Sequence, residues 1–429
     1  MLKAIKIRLY PNPTQENTLN SLLGSYRLVY NQCLAFKKDK YENHQENANL
    51  SDLGHHFHQT LRSEYEWLKE HNTKVLKQSI LNLDQAYKNF FKAKKGFPKF
   101  KSKFDEQRAR FPYEAVAAKT FDEDASLLNL TKTINKLKFE CSDRDKNYLY
   151  KNKAGIKSVT IIKTKTGKFF ASILVEGGLL REMSTPTNEA VGIDLGIKTL
   201  LTLSDGTSYA NLKWIRKSEK KLKRLHKQLS KKVKGSNNRT KAKLKLARAH
   251  EKIKNQKTDY LHNITTKIIN ENQVIILEDL NVSGMMKNHK LAKSIQELGL
   301  YELRRQLEYK SLWYGRELVF VDRFFPSSKT CSDCGWINHN LTLKDREFEC
   351  QGCGLVIDRD DNASINIENE GRRIYNIMMD AKRHQKIEQR LLESVHANEP
   401  KSVEHPTVDD RYASNLKSSG ALSQKNVIC

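Results

Sequence analysis

No stretch of the chain approaches the ~18 consecutive apolar residues that a membrane span needs, so no spanning helix is expected. The opening MLKAIKIRLYPNP alternates charged and apolar residues and lacks the continuous apolar core of a secretion signal. Cysteine is sparse and odd in number, 7 in 429 residues. A chain this long buries a core that needs no disulfide staples, and its length suggests about three domains. No internal repeat is visible. Four of the cysteines form two CxxC pairs, which without a secretion signal points to metal in a reducing compartment. These absences exclude a secreted, membrane-spanning or disulfide-stapled protein and leave a globular cytoplasmic one.

Acid is also scarce. The 50 Asp and Glu face 76 Lys and Arg, a net charge of +26. Such a surplus calls for a polyanion, nucleic acid before an anionic membrane surface. Residues 213–257 carry 19 Lys and Arg against Glu219 and Glu251 alone, +17 in a tenth of the chain. That density repels itself unless a polyanion is bound, although a charge run can also be a merely solvated face. Lys220, Lys223, Arg224 and Lys227 are the phosphate contacts expected there.

Hydrophobic spacing gives the elements. Ile5, Ile7 and Leu9 alternate with Lys6, Arg8 and Tyr10, a half-buried strand ended by Pro11 and Pro13. Residues 14–93 read as helices. The clearest covers 73–92, with Leu76, Ile80, Leu83, Tyr87 and Phe90 on one face and Lys74, Gln78, Gln85 and Asn89 opposite. Short strands follow at 158–164 and 168–176, and 181–189 reads as a linker. AVGIDLGIKTLLTLSDG predicts two strands joined by a turn, with SDG as the next turn. The basic segment predicts two antiparallel helices broken at GSNN, with Leu222, Leu225, Leu229 and Val233 at helical spacing. Buried strands are expected at 272–280 and 317–323, with one helical stretch at about 290–315 between them. Beyond about Glu370 periodicity fades into a tail read as disordered.

Cys331 and Cys334 are separated from Cys350 and Cys353 by 15 residues, the spacing of a structural zinc ribbon. Gly335 and Gly354 follow the pairs where a tight knuckle needs positive φ. Four thiolates leave no open coordination position, so this zinc is structural.

Three carboxylates stand out by context. Asp194 sits in GIDLG, on the face opposite Ile193 and Leu195; Glu278 ends the apolar VIIL; Asp360 lies in DRDDNASINI, where a short helix begins and Asp or Asn can cap it. Spacing alone does not say whether Glu278 or Asp279 is the functional acid. Carboxylates at the ends of buried strands are costly without cations. Two Mg²⁺ about 4 Å apart would satisfy them and activate water against a phosphodiester. The order of acids, in a first strand, ending a later strand and opening a late helix, is that of a ribonuclease-H-like fold.

GIDLGIK, VIILEDL and SSKTCSDCGWINHNLTLKDREFECQGCGLVIDRDDNASINI together resemble the TnpB (OrfB) family of transposon-encoded proteins, related to type V CRISPR effectors. KIRLYPNPTQ, GSYRLVYNQCL, GFPKFKSK and, in the tail, SVEHPTVDDR extend the resemblance over the whole chain. It implies an RNA-guided DNA endonuclease, with guide RNA from the transposon end and double-stranded DNA as partners, in the prokaryotic cytoplasm or nucleoid. It implies an α/β chain with an all-β and helical N-terminal part. A wedge-like β-barrel (1–13 and 94–187) holds a helical recognition insertion (14–93). A RuvC nuclease domain (188–327 and 357–372), an inserted zinc ribbon (328–356) and a disordered tail (373–429) follow. A monomer is expected.

The family's catalytic acids carry over to Asp194, Glu278 and Asp360, because its DRDxNA pattern makes Asp361 the variable position. Asp358 then supports the turn, and Ser364 stands where the family usually has Ala. Lys74, Lys77, Gln78 and Gln85 would read the short motif beside the target, amides being able to pair bidentately with adenine, while guide pairing reads the rest. Lys99 and Lys101 would hold phosphates beside Phe97 and Phe100, which either stack or belong to the core. Two readings stay open beside the nuclease: an RNA-guided repressor or accessory transposition factor without chemistry, and a transposase using the same acids, for which no Tyr or Ser recombinase motif is evident.

Overall fold

Alternation in LKAIKIRLY does what it predicts: in the computed structural model, Ile5, Ile7 and Leu9 are buried along strand β1 (Leu2–Tyr10). The structure describes residues 2–93, 96–116, 120–121, 127–177, 185–342 and 344–397. The chain divides into two units, Met1–Arg373 and Ile374–Cys429.

Helix α1 (Pro13–His44) starts on a capping box between Asn12 and Gln15, and α2 (Thr73–Ala93) carries the apolar face read from the sequence. Leu76, Ile80, Leu83 and Tyr87 are buried, while Phe90 is half-buried. These helices share one core with a six-stranded sheet built from β1, β2 (Gln107–Pro112), β3 (Leu127–Leu128), β4 (Leu137–Glu140), β5 (Ile156–Lys163) and β6 (Phe169–Glu176). Its order is β2-β5-β6-β1-β4-β3. The expected wedge-like barrel is therefore corrected to an open sheet: among the described residues β2 and β3 are its edges and do not pair with each other. Closure would require a second ladder from β3, which is only two residues long. Helix α3 (Asp143–Lys151) lies between β4 and β5.

The second sheet has five strands, β7 (Asn188–Asp194), β8 (Thr199–Leu203), β9 (Ser208–Ala210), β10 (Asn272–Glu278) and β11 (Glu317–Val321), in the order β11-β10-β7-β8-β9. β10 runs parallel to both β7 and β11, whereas β7, β8 and β9 pair antiparallel. Between β9 and β10 stand the two basic helices, α4 (Trp214–Ser230) and α5 (Asn237–Glu271). α4 stops before Val233, which is exposed. α5 outruns the basic segment because Leu261, Ile264 and Ile268 continue its helical spacing into the sheet's core. The stretch read as one helix is two, α6 (His289–Leu298) and α7 (Leu300–Tyr314), divided at Gly299.

The second cysteine pair lies in the turn of a two-stranded ribbon, β12 (Glu347–Glu349) with β13 (Val356–Asp358), and the first pair precedes β12. The disorder expected from residue 373 is corrected as far as 397, and the short helix expected at Asp360 is corrected to a long one, by α8 (Arg359–Ala397). Ile374, Ile377, Met378 and Ala381 carry the helical spacing on past Glu370. Residues 398–429, including SVEHPTVDDR, lie outside the described residues, as does part of the linker at 181–184.

Candidate functional site

Strand pairing brings two of the predicted acids together. Leu277 pairs with Ile193 across the parallel β10–β7 ladder, so the next residues, Glu278 and Asp194, end neighbouring strands side by side. Burial first, then repulsion from Glu278 and Asp360, pushes the Asp194 carboxyl up to about 7. Burial also raises Glu278.

Asp360 reaches the same place on α8. The helix crosses β7 at Gly192, where an added Cβ would collide with the backbone of Ser364 and Glu368. Asp360 opens α8 one turn before Ser364. Asp358 caps the helix as expected, its carboxylate accepting from the amides of Asp360 and Asp361 at 2.8 and 3.4 Å. The Ser364 hydroxyl donates to the Asp361 carbonyl at 2.7 Å, which satisfies it where an alanine would need nothing. Asp360 itself pairs with Arg359 at 3.0 Å and Arg346 at 4.0 Å. Glu278 and Asp279 face different partners. Asp279 points to Arg304 and Arg323, both at 2.6 Å, and the Arg304 hydrogen bond first among these contacts holds its carboxyl below the usual range.

The four cysteine sulfurs all lie within 4.8 Å of one another. Cys331 Sγ is 3.6 Å from Cys353 Sγ, and Cys334 Sγ 3.5 Å from Cys350 Sγ. Zn–S bonds of about 2.3 Å in a tetrahedron require sulfurs about 3.8 Å apart, so the donor set fits zinc. Gly335 and Gly354 take φ of +78° and +77°, the knuckle geometry expected.

Sequence reasoning missed the polar residues that join these two centres. Ser327 donates to Glu278 Oε1 at 2.6 Å. Asn362 and Asn366, both buried, grip the loop before and into the first CxxC pair. Their signal was an i, i+4 asparagine pair beside the cysteines.

The predicted nucleic-acid contacts fall in separate places. Lys220, Lys223, Arg224 and Lys227 are exposed on α4. On α2, Lys74 and Lys77 are exposed, with Lys74 3.3 Å from Glu114. Gln85 lines a cleft of about 510 Å³ together with Tyr26, Tyr30, Phe100 and Lys101, and Gln78 lies outside it. Lys101 stacks its ammonium 3.7 Å from the Tyr30 ring centre, and burial lowers it to about 8. Lys99 is exposed nearby. Phe97 and Phe100 are 42% and 55% exposed, so neither is a core residue.

A groove of about 1060 Å³ that sequence reasoning did not find lies between β1, α3, α5 and α7. It is lined by Lys3, Lys6, Lys254, Lys257, Arg305 and Lys310 with Tyr309 and Trp313. Lys310 is 6% exposed, and its ammonium donates to three neutral oxygens, of His262, Thr265 and Thr266. Burial lowers it to about 8.

Family models match three stretches of the chain: one described as "Probable transposase" over residues 172–289, "Cas12f1-like, TNB domain" over 301–367 and "Helix-turn-helix domain" over 1–46. A Streptomyces pristinaespiralis protein bearing the name "Putative RNA-guided DNA endonuclease" is 36% identical over 369 residues, 85% of this chain and 88% of its own. The chain belongs to the TnpB (OrfB) family. A second relative of this TnpB chain is InsQ of Escherichia coli (strain K12), named likewise, 32% identical over 395 residues, 87% of this chain and 93% of its own. The TnpB fold here is similar to that of Cas12f1 in a cryo-EM complex with sgRNA and target DNA, at a TM-score of 0.52 and 15% identity, covering 86% of this chain and 98% of that one. The helix-turn-helix description does not fit the conformation of residues 1–46, which form β1 and the single helix α1. No helix among the described residues is long and apolar enough to cross a membrane.

Proposed function

We propose that this chain is a transposon-encoded, RNA-guided endonuclease that cuts double-stranded DNA beside a short motif. One observation carries the reading: Asp194 and Glu278 end adjacent parallel strands, and α8 brings Asp360 into electrostatic reach of Asp194. Support for a ribonuclease-H-like domain comes from the mixed sheet order around β7. Asp194, Glu278 and Asp360 would hold two Mg²⁺, and Cys331, Cys334, Cys350 and Cys353 one structural zinc. Bound there, magnesium would supply Lewis acidity toward water and the leaving oxygen of a phosphodiester. The chain's own part is to gather three carboxylates whose mutual repulsion a cation relieves, and to bring Arg346 and Arg359 beside them.

The +26 charge attracts phosphates without reading sequence. Specificity then falls to guide pairing, with the cleft at Gln85 for the first local check. The groove around Lys310, whose buried ammonium has no anionic partner among the described residues although Asp145 and Glu302 also line the groove, suits guide-RNA phosphate. The test is to purify the protein with its RNA, sequence that RNA, and challenge the complex with matched and unmatched duplex. Cutting of matched DNA alone, lost in Asp194→Ala, supports the reading. Tight matched binding without cutting would favour a nuclease-independent repressor, and guide-independent cutting would overturn RNA guidance.

A further inference from the structure

Like Asp194 on β7, Glu278 is the last residue of its strand, β10. Its carboxylate is nonetheless fixed from outside. The Ser327 hydroxyl donates to Oε1 at 2.6 Å, from a loop that joins β11 to the first cysteine pair. We propose that Ser327 is the positioning residue for Glu278, holding one carboxylate oxygen so that the group presents a fixed face to a divalent cation. The inference rests on the proposed role of the acids as cation ligands.

Ser327 can do this because it is held in turn. It is 6% exposed. Its amide donates to the Phe325 carbonyl at 2.8 Å, and its own carbonyl accepts from Asn366 Nδ2 at 2.8 Å. The same Asn366 nitrogen donates to the Thr330 carbonyl at 2.6 Å, and Asn362 Nδ2 reaches that carbonyl at 2.7 Å. Asn362 Oδ1 accepts from the amide of Ser332, inside the first CxxC pair, at 3.0 Å. Both asparagines sit on α8, the helix that opens with Asp360. One helix therefore sets Asp360 directly and sets Glu278 through the loop it clamps, with the cysteine knuckle at the loop's far end.

The experiment uses full-length protein and compares wild type, Ser327→Ala, Ser327→Thr and Asp194→Ala. Mn²⁺ binding is followed by electron paramagnetic resonance, beside melting temperature and zinc content. In Ser327→Ala, Mn²⁺ affinity should fall by about tenfold or more, the usual effect of losing a group that orients a ligand. Melting temperature and zinc content should stay at wild-type values, and Ser327→Thr, which keeps the hydroxyl, should restore binding. Guide-loaded Ser327→Ala should need correspondingly more Mg²⁺ to cut. Wild-type Mn²⁺ affinity in Ser327→Ala, while Asp194→Ala loses it, would overturn the role of Ser327 alone. A loss matched by a fall in melting temperature and zinc would reduce Ser327 to a structural residue and overturn it too. Equal binding by wild type and Asp194→Ala would sink the metal reading of the acids, and this inference with it.

Discussion

Gly192 on β7 and Ser364 on α8 approach so closely that a Cβ at position 192 would collide with the Ser364 carbonyl oxygen. The contact sits two residues before Asp194 and one turn after Asp360, so it sets the distance between strand and helix where the acids meet. Gly192→Ala must push α8 away. It should destabilise the protein by about 1–3 kcal/mol, the range for overpacking a close contact, and depress cleavage further than that loss explains. Thermal melts and cleavage rates measured together would check this. A variant with normal stability and normal cutting would show that the helix can shift without consequence.

The Asp194 carboxyl, raised from 3.8 to about 7, gives a pH signature. The folded protein takes up this proton more readily than the unfolded chain. The stability it contributes is complete below about pH 4 and lost as pH rises through 7. Asp194→Asn is neutral throughout, so with divalent cations chelated it should outlast wild type by a margin that grows between these limits. The ceiling is about 4 kcal/mol, from 1.36 kcal/mol per pKa unit. Urea melts at pH 5 and pH 8 should show the larger gap at pH 8. The same variant should not cut DNA. An equal gap at both pH values would mean that the carboxylate is not strained.

Among the neighbouring acids, geometry ranks the substitutions. Glu278→Gln and Asp360→Ala should abolish cleavage. Asp279→Asn only breaks exposed ion pairs to Arg304 and Arg323, worth roughly 0–1 kcal/mol, and should cut almost normally. Asp361→Ala should also do far less than Asp360→Ala, because Asp194 feels Asp360. Rates from one guide and one target decide it, and the reverse order at 360 and 361 would show the wrong register.

Why these acids could be found in the sequence, and their supports could not, follows from what each signal encodes. Asp194 and Glu278 interrupt apolar strands, and period-2 alternation with burial makes such an interruption visible. CxxC spacing is local and carries the knuckle geometry with it. Ser327 is different: nothing local distinguishes it from Ser328, and its partner is 49 residues away. The groove at Lys310 is likewise assembled from four distant elements. The barrel expected from the family resemblance failed on a long-range property, the pairing of the two sheet edges. The sequence reading stops α8 short of its true end, although Ile374, Ile377, Met378 and Ala381 keep helical spacing beyond Glu370.

For the cysteine site, a pure sample should hold about one Zn²⁺ per chain, as one four-cysteine site requires. Cys350→Ser should lower melting temperature and cleavage together. The ribbon continues through β13 into α8, and Asn362 ties α8 back to the first knuckle. Metal analysis and melts on the same preparation test this. Full activity in a zinc-free, folded sample would separate the ribbon from the catalytic acids.

Lys310 offers a stability test and a binding test that should move in opposite directions. Burial lowers it from 10.5 to about 8, so the folded protein gives up this proton more readily than the unfolded chain. The cost of holding the charge is therefore full below about pH 8 and relieved as pH rises toward 10.5. Lys310→Met removes the charge and keeps much of the packing, so without RNA it should be more stable than wild type at pH 7, and the gain should shrink toward pH 10. If the groove holds guide-RNA phosphate, the same variant should bind guide RNA more weakly. Its log affinity should also fall less steeply with log salt, by close to one unit of slope for one lost phosphate contact. Replacing Lys220, Lys223, Arg224 and Lys227 on α4 would flatten the salt dependence without any stability gain, because those ammonium and guanidinium groups are already exposed to water. Increased stability together with unchanged RNA affinity and slope in Lys310→Met would show that no phosphate reaches this lysine, and that its charge is a burden the fold carries for another reason.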